Sequence, residues 1–396
     1  MDTKITDLPP ELILRIVGYL PALDIGQLSQ TCQRLCDLCN SEIVWQKLCH
    51  SICDSKRLDE WEASFYDIYT KVFHKYKRCI GLWRRKMEPY GGLFQVKVDS
   101  GRLLGTEYKP PIDIDIQGPL RPKNVFSIGI NKSTNETEIL CLRGYQGPHP
   151  GSVESDPESG DIIFKCCRMS CHDHPQGSLA AFEEIVKEET DNYSLPFTSY
   201  DKDRIQCYIS NEQTYVLTPI HIQPHHPSYP IQPGLFAAHY SAHGIEMFLL
   251  KYDMEKKEAH VVKVTGDPNV PSGETSIYVN LRKPLNLTKD QQSDVDYIMS
   301  LTPEDVPDVD DIQPVKQDFV IPPHFQTFTT DFDMTSCQYR YLSRGQIAYE
   351  GFVSPSFTPG HVVVLEEKCF MKIWLKFHAL ATDQSLMWVT SILERS

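Results

Sequence analysis

Four side chains in the first half of the chain have the chemistry of a metal site. Cys141 and His149 lie in the stretch "CLRGYQGPH", and Cys166 and His172 lie in "CCRMSCH". Two thiolates and two imidazoles are a tetrahedral ligand set that zinc accepts. Because four protein ligands leave no open coordination position, such a site would be structural rather than catalytic. It would fasten a long loop to the rest of its domain.

The spacing of these residues leaves the assignment open. The two ligands of each pair are eight and six residues apart, which matches no standard zinc finger. Cys167, Cys171 and His174 crowd the same stretch and offer other combinations. The alternative is a group of buried or incidental thiols, since free cysteine behaves as a small hydrophobe.

A second group of polar side chains surrounds two predicted turns, within residues 233–246 and 263–274. Gly244 and Gly266 allow tight turns or a close approach of the backbone there. Because the mouths of β-barrels are common ligand sites, these residues are candidates for a substrate site: Tyr240, Ser241, His243, Glu246, Asp267 and Asn269. The alternative is a capped hairpin and an Asp-Pro turn with a purely structural role.

No pattern of a catalytic centre is found elsewhere in the sequence. The histidines of "HIQPHHPSYP" lack the further ligands that zinc requires. The chain has no G-x-S-x-G motif, no P-loop and no H-E-x-x-H motif. We therefore predict a protein without catalytic residues. A metalloenzyme at the cysteine and histidine cluster would need an open coordination position.

The elements that would position these residues are mainly strands. From residue 89 onward, apolar and polar residues alternate, as in "LFQVKVD" and "EAHVVKV", and some ten short strands follow, "DRIQCYIS" among them. This pattern predicts one closed antiparallel barrel or a sandwich, which we expect to be lipocalin-like, over residues 89–396. Two segments depart from it: residues 178–193 have a helical pattern, and the acidic, proline-bearing segment 302–318 is predicted to be a mobile loop.

The N-terminal region is helical instead. In "DLPPELILRIVGYL", the prolines suit a first helical turn, and Leu12, Ile13, Ile16, Val17 and Leu20 form an apolar stripe. Two more short helices follow within residues 1–50. Since about 45 residues in three small helices keep much of their apolar surface exposed, part of the stripe must face another protein. Residues 51–88 are predicted to be a helical connector, so the fold class is α+β.

The bulk composition narrows the possible partners and compartments. The net charge of −14 disfavours nucleic acid, because binding to phosphates depends on Lys and Arg. Thirteen cysteines without a signal sequence suggest reduced thiols in the cytoplasm or nucleus. No apolar stretch is long enough to span a membrane, so no membrane partner is predicted.

The three N-terminal helices carry the pattern of a known module. The order "LPPELILRIVGYLP", "DIGQLSQTCQRL" and "IVWQKLC" resembles an F-box, which binds the Skp adaptor of SCF ubiquitin ligases. The alternative is an ordinary N-terminal helix bundle. The resemblance implies that the adaptor contacts lie at the positions that match the F-box pattern: Leu8, Pro9, Leu12, Ile16, Leu20, Leu28 and Trp45, with Cys32 also on the pattern.

The resemblance extends over nearly the whole chain. The F-box, "HKYKRCIGLW", "CLRGYQGPHPG", "AHGIE", "TGDPNVPSG" and "GFVSPSFTPG" resemble, in content and order, the F-box only protein 31 family. This implies the substrate receptor of an SCF-type ligase, bound to Skp adaptor and cullin. Clients would be D-type cyclins, in DNA-damage and cell-cycle control, and proteins with C-terminal amides. The resemblance also implies a structural zinc on Cys141, His149, Cys166 and His172, and places Asp267 in the substrate pocket.

A reading from a different functional class remains open. A lipocalin-like barrel could carry a small hydrophobic ligand, with the helical N-terminus incidental to that role. A receptor should co-purify with adaptor and cullin, whereas a carrier would elute alone with a ligand in its barrel.

Overall fold

The computed structural model describes residues 5–111, 116, 118–190, 199–239, 243–310, 316–321, 335–366, 369–375 and 386–391. Within these residues the contacts divide the chain into two compact units. Unit 1 comprises Met1–Trp83, Gln95–Thr106 and Asn124–Pro175, and unit 2 comprises Arg84–Phe94, Glu107–Lys123 and Gln176–Ser396. None of the described helices has the length and apolar content to cross a membrane.

The helices lie mainly at the N-terminus. They are α1 (Pro10–Val17), α2 (Ala22–Ser29), α3 (Gln33–Cys39), α4 (Glu42–His50), α5 (Ser55–Asp59), α6 (Phe65–Asp67), α7 (His74–Tyr76), α8 (Ser178–Thr190), α9 (Ser199–Ser210), α10 (Lys289–Ser293) and α11 (Val295–Ser300). A π-helical stretch, Ile68–Phe73, joins α6 to α7, and 3-10 turns span Ile5–Asp7, Lys77–Cys79 and Met169–His172.

The strands of the described chain form two closed barrels and a small two-stranded sheet. The first barrel has the order β1 (Gly81–Arg85), β2 (Leu93–Asp99), β3 (Arg102–Lys109), β4 (Arg121–Ile130), β5 (Thr137–Cys141), β6 (His149–Ser155), β7 (Ile162–Cys166) and β8 (Thr214–Pro219). The second joins β9 (Gly234–His239), β10 (Ile245–Asp253), β11 (Glu258–Lys263), β12 (Thr275–Pro284), β15 (Tyr339–Tyr349), β16 (Val353–Glu366), β17 (Cys369–Trp374) and β18 (Leu386–Ser391). The small sheet pairs β13 (Gln317–Asp318) with β14 (Ser336–Cys337).

The α+β class and the largely antiparallel barrel architecture are confirmed, but the strands form two closed barrels rather than one. Alternation of apolar and polar residues marks strands without stating which strands close on each other, so two barrels in series give the same local pattern as one. The first strand also begins at Gly81, inside the predicted helical connector. The "DRIQCYIS" segment is helix α9, in which Ile205 is buried and is followed by Tyr208 and Ile209 at helical spacing.

Helix α1 shows why the N-terminal stripe has two sides. Proline occupies the first helical position, where its missing N–H is not needed. Ile13 and Val17 are fully buried, whereas Leu12 and Ile16 are 46% and 41% exposed. The stripe is therefore wider than the surface that the neighbouring helices of unit 1 cover.

The two predicted departures from the strand pattern have different outcomes. The helix predicted over residues 178–193 is confirmed as α8 over Ser178–Thr190. The described parts of the acidic segment contact β12: Lys283 donates to the carbonyl of Val306 at 2.7 Å, and Asp308 accepts from the same ammonium at 3.2 Å. Farther on, the buried Gln317 side chain bonds to the backbone of residues 285 and 287. Residues 311–315 lie outside the described residues.

Candidate functional site

The four predicted metal ligands come together in unit 1. Cys141 ends β5 and His149 begins β6, and the two residues are paired in the strand register. Cys166 ends β7, next to β6, and His172 closes the 3-10 turn that follows. The ligand atoms of these four residues all lie within 4.8 Å of one another. Residues 141–172, predicted as a loop, therefore consist largely of a three-stranded meander.

The distances between the ligand atoms suit a tetrahedral metal. Sγ of Cys141 lies 3.6 Å from Nε2 of His172, and Nε2 of His149 lies 3.0 Å from Sγ of Cys166. In a tetrahedral zinc site a sulfur and a nitrogen ligand are separated by about 3.5 Å. Nδ1 of His149 lies 2.8 Å from the carbonyl oxygen of Gly147, a contact that directs Nε2 toward the cluster.

The other candidates in this stretch are directed elsewhere. Cys171 bonds through its thiol to Gln146 at 3.5 Å, Cys167 is exposed, and the His174 ring packs edge-on against Tyr145 at 4.6 Å. Every cysteine of the chain is described and is a free thiol. The geometry thus selects one set of four ligands from a stretch in which spacing alone allowed several.

The predicted substrate residues are only partly at a pocket. Tyr240 and Ser241 lie outside the described residues. His243 and Glu246 line a pocket of about 50 Å³ in unit 2, and Asp267 lines a smaller neighbouring one with His243. The Asn269 amide instead donates to the carbonyl of Ala348 at 3.0 Å, as in the structural alternative.

Asp267 is occupied by partners of its own loop. Its Oδ1 accepts the backbone N–H groups of Asn269 at 2.7 Å and Val270 at 2.9 Å, and its Oδ2 contacts the ammonium of Lys263. This Asx-type turn explains the Asp-Pro-Asn sequence. Burial opposes ionisation of the carboxyl group, but the Lys263 ammonium outweighs it and the pKa of Asp267 falls to about 2.

Glu246 is the second acid on the same lysine. Lys263 Nζ lies 2.7 Å from Oε2 of Glu246, and both side chains are buried. Burial raises the pKa of Glu246 well above its ordinary value, and the charge of Asp267 adds to this, although Lys263 opposes it. Beside the two pockets, one buried ammonium is therefore shared by two acids whose pKa values are shifted in opposite directions.

Sequence reasoning missed the cations of the larger pocket. Lys109, Arg121 and Arg204 line it together with the rings of Tyr90 and Tyr208. Arg204 is paired with Asp201 at 3.0 Å, and the Arg121 Nε donates to a backbone carbonyl at 2.8 Å. No local signal connects these residues, because they belong to segments far apart along the chain.

The structure shows some of the predicted adaptor contacts as exposed side chains and others as partly or fully buried ones. Leu12, Ile16 and Pro9 are exposed, and Leu8, Leu20 and Leu28 are partly buried. Trp45 is a correction: its indole is buried, donates to the Cys39 carbonyl at 2.8 Å and packs edge-on against Tyr66. Three exposed apolar side chains were missed, Tyr19, Leu23 and Ile43. We define the exposed apolar face as Leu12, Ile16, Leu23 and Ile43.

The interior of the second barrel is filled by its own side chains. Its core includes Phe236, Phe248, Tyr341, Phe370 and Trp374. A cavity lined by Leu250, Tyr341 and Phe370, among other core residues, holds only about 20 Å³, roughly the space of one water molecule. A hydrophobic ligand of the size carried by lipocalins has no room in it, so the described barrel does not favour the carrier interpretation.

Comparison with known proteins agrees with the resemblance found in the sequence. Residues 5–51 match the family model described as F-box-like, and residues 219–384 match the one described as cyclin D1 binding domain. F-box only protein 31 of Rattus norvegicus is 27% identical over 432 residues, covering 96% of this chain and 84% of its own length. F-box only protein 31 of Homo sapiens is 25% identical over 450 residues, covering 96% and 82%. F-box only protein 24 of Homo sapiens is 32% identical, but over 84 residues, which cover 18% of this chain and 14% of that protein.

Proposed function

We propose that this chain, a homologue of F-box only protein 31, is the substrate receptor of an SCF-type ubiquitin ligase. The F-box-like helices would bind the Skp adaptor, and through it the cullin, while unit 2 holds client proteins. Such a receptor performs no bond chemistry; it raises the effective concentration of client lysines near the ligase. The observation that carries the proposal is the exposed apolar face on the helices of the F-box-like region.

This face has the character of a surface made for a partner. Leu23 is 67% exposed and Ile43 is 63% exposed, in addition to Leu12 and Ile16 on α1. Scattered exposed leucines are ordinary, but several large apolar side chains on three of the first four short helices, α1, α2 and α4, support an interaction site. The inward sides of the same helices are packed, since Ile13, Val17 and Ile25 are each fully buried. The helices thus remain folded while offering the face.

Co-purification tests this proposal. The full chain should capture Skp adaptor and cullin from cells, and Leu12→Asp/Ile16→Asp should lose both. Leu179→Asp is the matched control, because Leu179 is 71% exposed on α8 and should tolerate the same change with no loss of adaptor. If the double variant still captures adaptor and cullin, or the unmodified chain captures neither, the proposal fails.

We further propose that the ligands of the unit 2 pocket are the C-terminal ends of client proteins, D-type cyclins and proteins with C-terminal amides among them. A carboxamide both donates and accepts hydrogen bonds, whereas a carboxylate only accepts. The ionised Asp267 could accept a hydrogen bond from a terminal amide, whereas it would repel a terminal carboxylate. The match of residues 219–384 to a cyclin D1 binding model supports a client site in this part of the chain.

Paired peptides that differ only in a terminal amide or acid test this client class. We expect tighter binding of the amide, and Asp267→Asn should reduce that preference because it removes a negative charge. Asparagine can still accept the N–H groups of residues 269 and 270, so the loop should persist. An unchanged preference in the variant would contradict the assigned role of Asp267.

We also infer that Cys141, His149, Cys166 and His172 hold a structural zinc ion. What supports it is the donor set, its burial and its spacing in three dimensions. Bound zinc would cross-link the ends of β5, β6 and β7 with the turn after them. Since all four positions are filled by protein, this site would contribute to folding and not to chemistry on a substrate.

We also propose a cellular setting on the basis of the family resemblance seen in the sequence. An SCF receptor of D-type cyclins would act in the cytoplasm and nucleus, in cell-cycle and DNA-damage control. Cell fractionation followed by detection of the tagged chain tests the location.

A further inference from the structure

A groove on the second barrel shares no lining residue with the pocket of His243 and Glu246. It lies where β12 and β15 lose their regular pairing: Val279 pairs with Ser343, but the next paired residue on β12 is Pro284. The groove has a volume of about 370 Å³, within the range of peptide and small-ligand sites. It is much larger than the pocket of about 50 Å³ lined by His243 and Glu246.

One wall of the groove carries a guanidinium held in place by aromatic rings. The Arg344 guanidinium carbon lies 4.7 Å from the Tyr278 ring centre and 5.0 Å from the Phe357 ring centre. The two rings meet edge-on with centres 5.4 Å apart. Stacking on both rings fixes the guanidinium plane, so little side-chain entropy is left to lose when a ligand binds.

The donors of this guanidinium are open to a ligand. Its nearest acid is Glu258, at 3.8 Å, too far for a hydrogen bond, and Glu258 is also engaged by His260 at 3.0 Å. Among the described residues nothing accepts a hydrogen bond from Arg344, whose side chain is 53% exposed. A planar guanidinium with free donors is suited to a carboxylate, which it can bind through two parallel hydrogen bonds.

The remaining lining is apolar with one unmet polar group. Leu301, Pro303, Leu342 and Leu375 form an apolar side of the groove next to Arg344. Thr358 also lines it, is 1% exposed, and its hydroxyl has no hydrogen-bond partner in the described part of the chain. An unmet buried hydroxyl is unusual unless a ligand or water completes it.

We propose that this groove binds an internal acidic segment of a partner protein, in which an Asp or Glu is followed closely by an aliphatic residue. The carboxylate pairs with Arg344, the aliphatic side chain packs on Leu301 and Leu342, and a backbone group of the segment meets the Thr358 hydroxyl. The occupant is a protein segment rather than a small anion because the apolar side needs a side chain to cover it. This site is independent of the proposed recognition of C-terminal ends.

Head-to-tail cyclic peptides test the groove, because a peptide without termini cannot use a site for chain ends. The probe is a fluorescent cyclic peptide containing Glu-Leu-Asp-Leu, and its partner replaces the acids by Gln and Asn. Fluorescence anisotropy with the full chain should show saturable binding of the acidic peptide, weakened at least about tenfold in the amide peptide, as expected for loss of a charge-assisted contact. Equal binding of both peptides, or binding of neither, would overturn the proposal.

Variants of the chain locate the binding. Arg344→Gln should weaken the acidic peptide by about tenfold, and Glu258→Gln should tighten it several-fold because a competing negative charge is removed. Lys289→Gln makes the same charge change as the first variant on an exposed lysine outside the groove and should have no effect. If Lys289→Gln weakens binding as much as Arg344→Gln, the attraction is general charge and the groove is not the site.

One further outcome would also count against it. Sedimentation that shows self-association abolished by Arg344→Gln would assign the groove to a second copy of this chain. If Arg344→Gln proves unfolded by circular dichroism, Glu258→Gln and the paired peptides still decide the question, because neither removes the stacked guanidinium.

Discussion

The ammonium of Lys263 lies 2.7 Å from Oε2 of Glu246 and also contacts Oδ2 of Asp267, and the three side chains are sealed from solvent. One buried base is thus shared by two acids. The group reaches neutrality when one acid keeps its proton, which is the state that the raised pKa of Glu246 indicates.

Removal of the shared base should be severe. Lys263→Met leaves Asp267 ionised and buried without its counter-charge, so we expect the free energy of unfolding to fall by about 3–5 kcal/mol. Urea denaturation measures the change. Lys256→Met is the control, because its pair with Asp253 is at the surface and should contribute little to stability. Equal small effects in the two variants would show that the buried group is not stabilising.

The pH dependence of stability should report Glu246. Because its pKa in the folded protein is raised, the folded state keeps a proton that the unfolded chain releases above about pH 4.3. This stabilisation is fully present below that pH and is lost as the pH rises through the raised pKa. Glu246→Gln, which cannot ionise, should therefore lose less stability than the unmodified chain as the pH rises from about 4.3 through the raised pKa.

Asp267 should affect the pH dependence of stability in the opposite direction to Glu246. Its lowered pKa of about 2 contributes stability above the ordinary aspartate value of about 3.9, and that contribution is lost as the pH falls toward 2. Asp267→Asn should alter the acid side of the profile, and Glu246→Gln the side toward neutral pH. Two variants with the same profile would contradict the separation of the two pKa values.

The metal site predicts a defined stoichiometry. Inductively coupled plasma mass spectrometry should find about one zinc ion per molecule of purified protein. Removal of the zinc by a chelator should lower the melting temperature of the protein. Cobalt substitution should give the intense visible absorption of a tetrahedral site with two thiolates. Cys141→Ser and Cys166→Ser should each lose the metal.

A neighbouring thiol supplies the control for the metal site. Cys167→Ser changes an exposed cysteine that directly follows Cys166, so metal content and melting temperature should both be retained. Loss of zinc in this variant as well would mean that the ligand set differs from the one described.

The two sides of α1 should separate stability from adaptor binding. Ile13→Ala removes a fully buried side chain and should reduce the free energy of unfolding by about 2–4 kcal/mol, while the surface that meets the adaptor is unchanged. Leu12→Asp should change stability by less than about 0.5 kcal/mol and weaken adaptor binding. Thermal unfolding and adaptor titration on both variants measure the contrast, and a reversed pattern would place the interface on the other side.

A lysine inside the second barrel gives a further pH signature. Lys372 is fully buried, its Nζ donates to the Ser343 hydroxyl at 2.8 Å, and burial lowers its pKa to about 7. The folded chain then binds fewer protons than the unfolded chain between about pH 7 and the ordinary lysine value of about 10.4, so stability should rise over that range. Lys372→Met should lack this rise, whereas the exposed Lys251→Met should keep it. Chemical denaturation at several pH values provides the measurement.

The sequence predicted the elements better than their closure. Helical spacing located α1 and its apolar residues, but it could not tell Leu12 from Ile13, because which side is covered depends on where α3 and α4 pack. Alternation located the strands, yet it could not distinguish two barrels from one. The segment of α9 was predicted as a strand because its short apolar run fits both periods.

The sequence also could not show which distant residues would come together in a site. Spacing could not choose among seven cysteines and histidines between residues 141 and 174, and the resemblance to a family supplied the choice that the strand register then brings together. Asp267 was expected to face a ligand, but its own turn uses one of its oxygens twice. Arg121 and Arg204 were not predicted at all, since nothing in their local sequence refers to a shared pocket.

The packing of Trp45 determines where the N-terminal region can be cut for use in a fusion protein. Its ring contacts Tyr66 and Tyr69, at centre distances of 5.0 Å and 5.5 Å, from the helical stretch that follows the F-box-like helices. A fragment that ends at residue 51 would lack Tyr66 and Tyr69, so the indole of Trp45 would become more exposed to solvent. Residues 5–51 therefore do not form an independent folding unit. A chimaera that fuses the F-box-like helices to another protein must include the residues that follow, through Cys79.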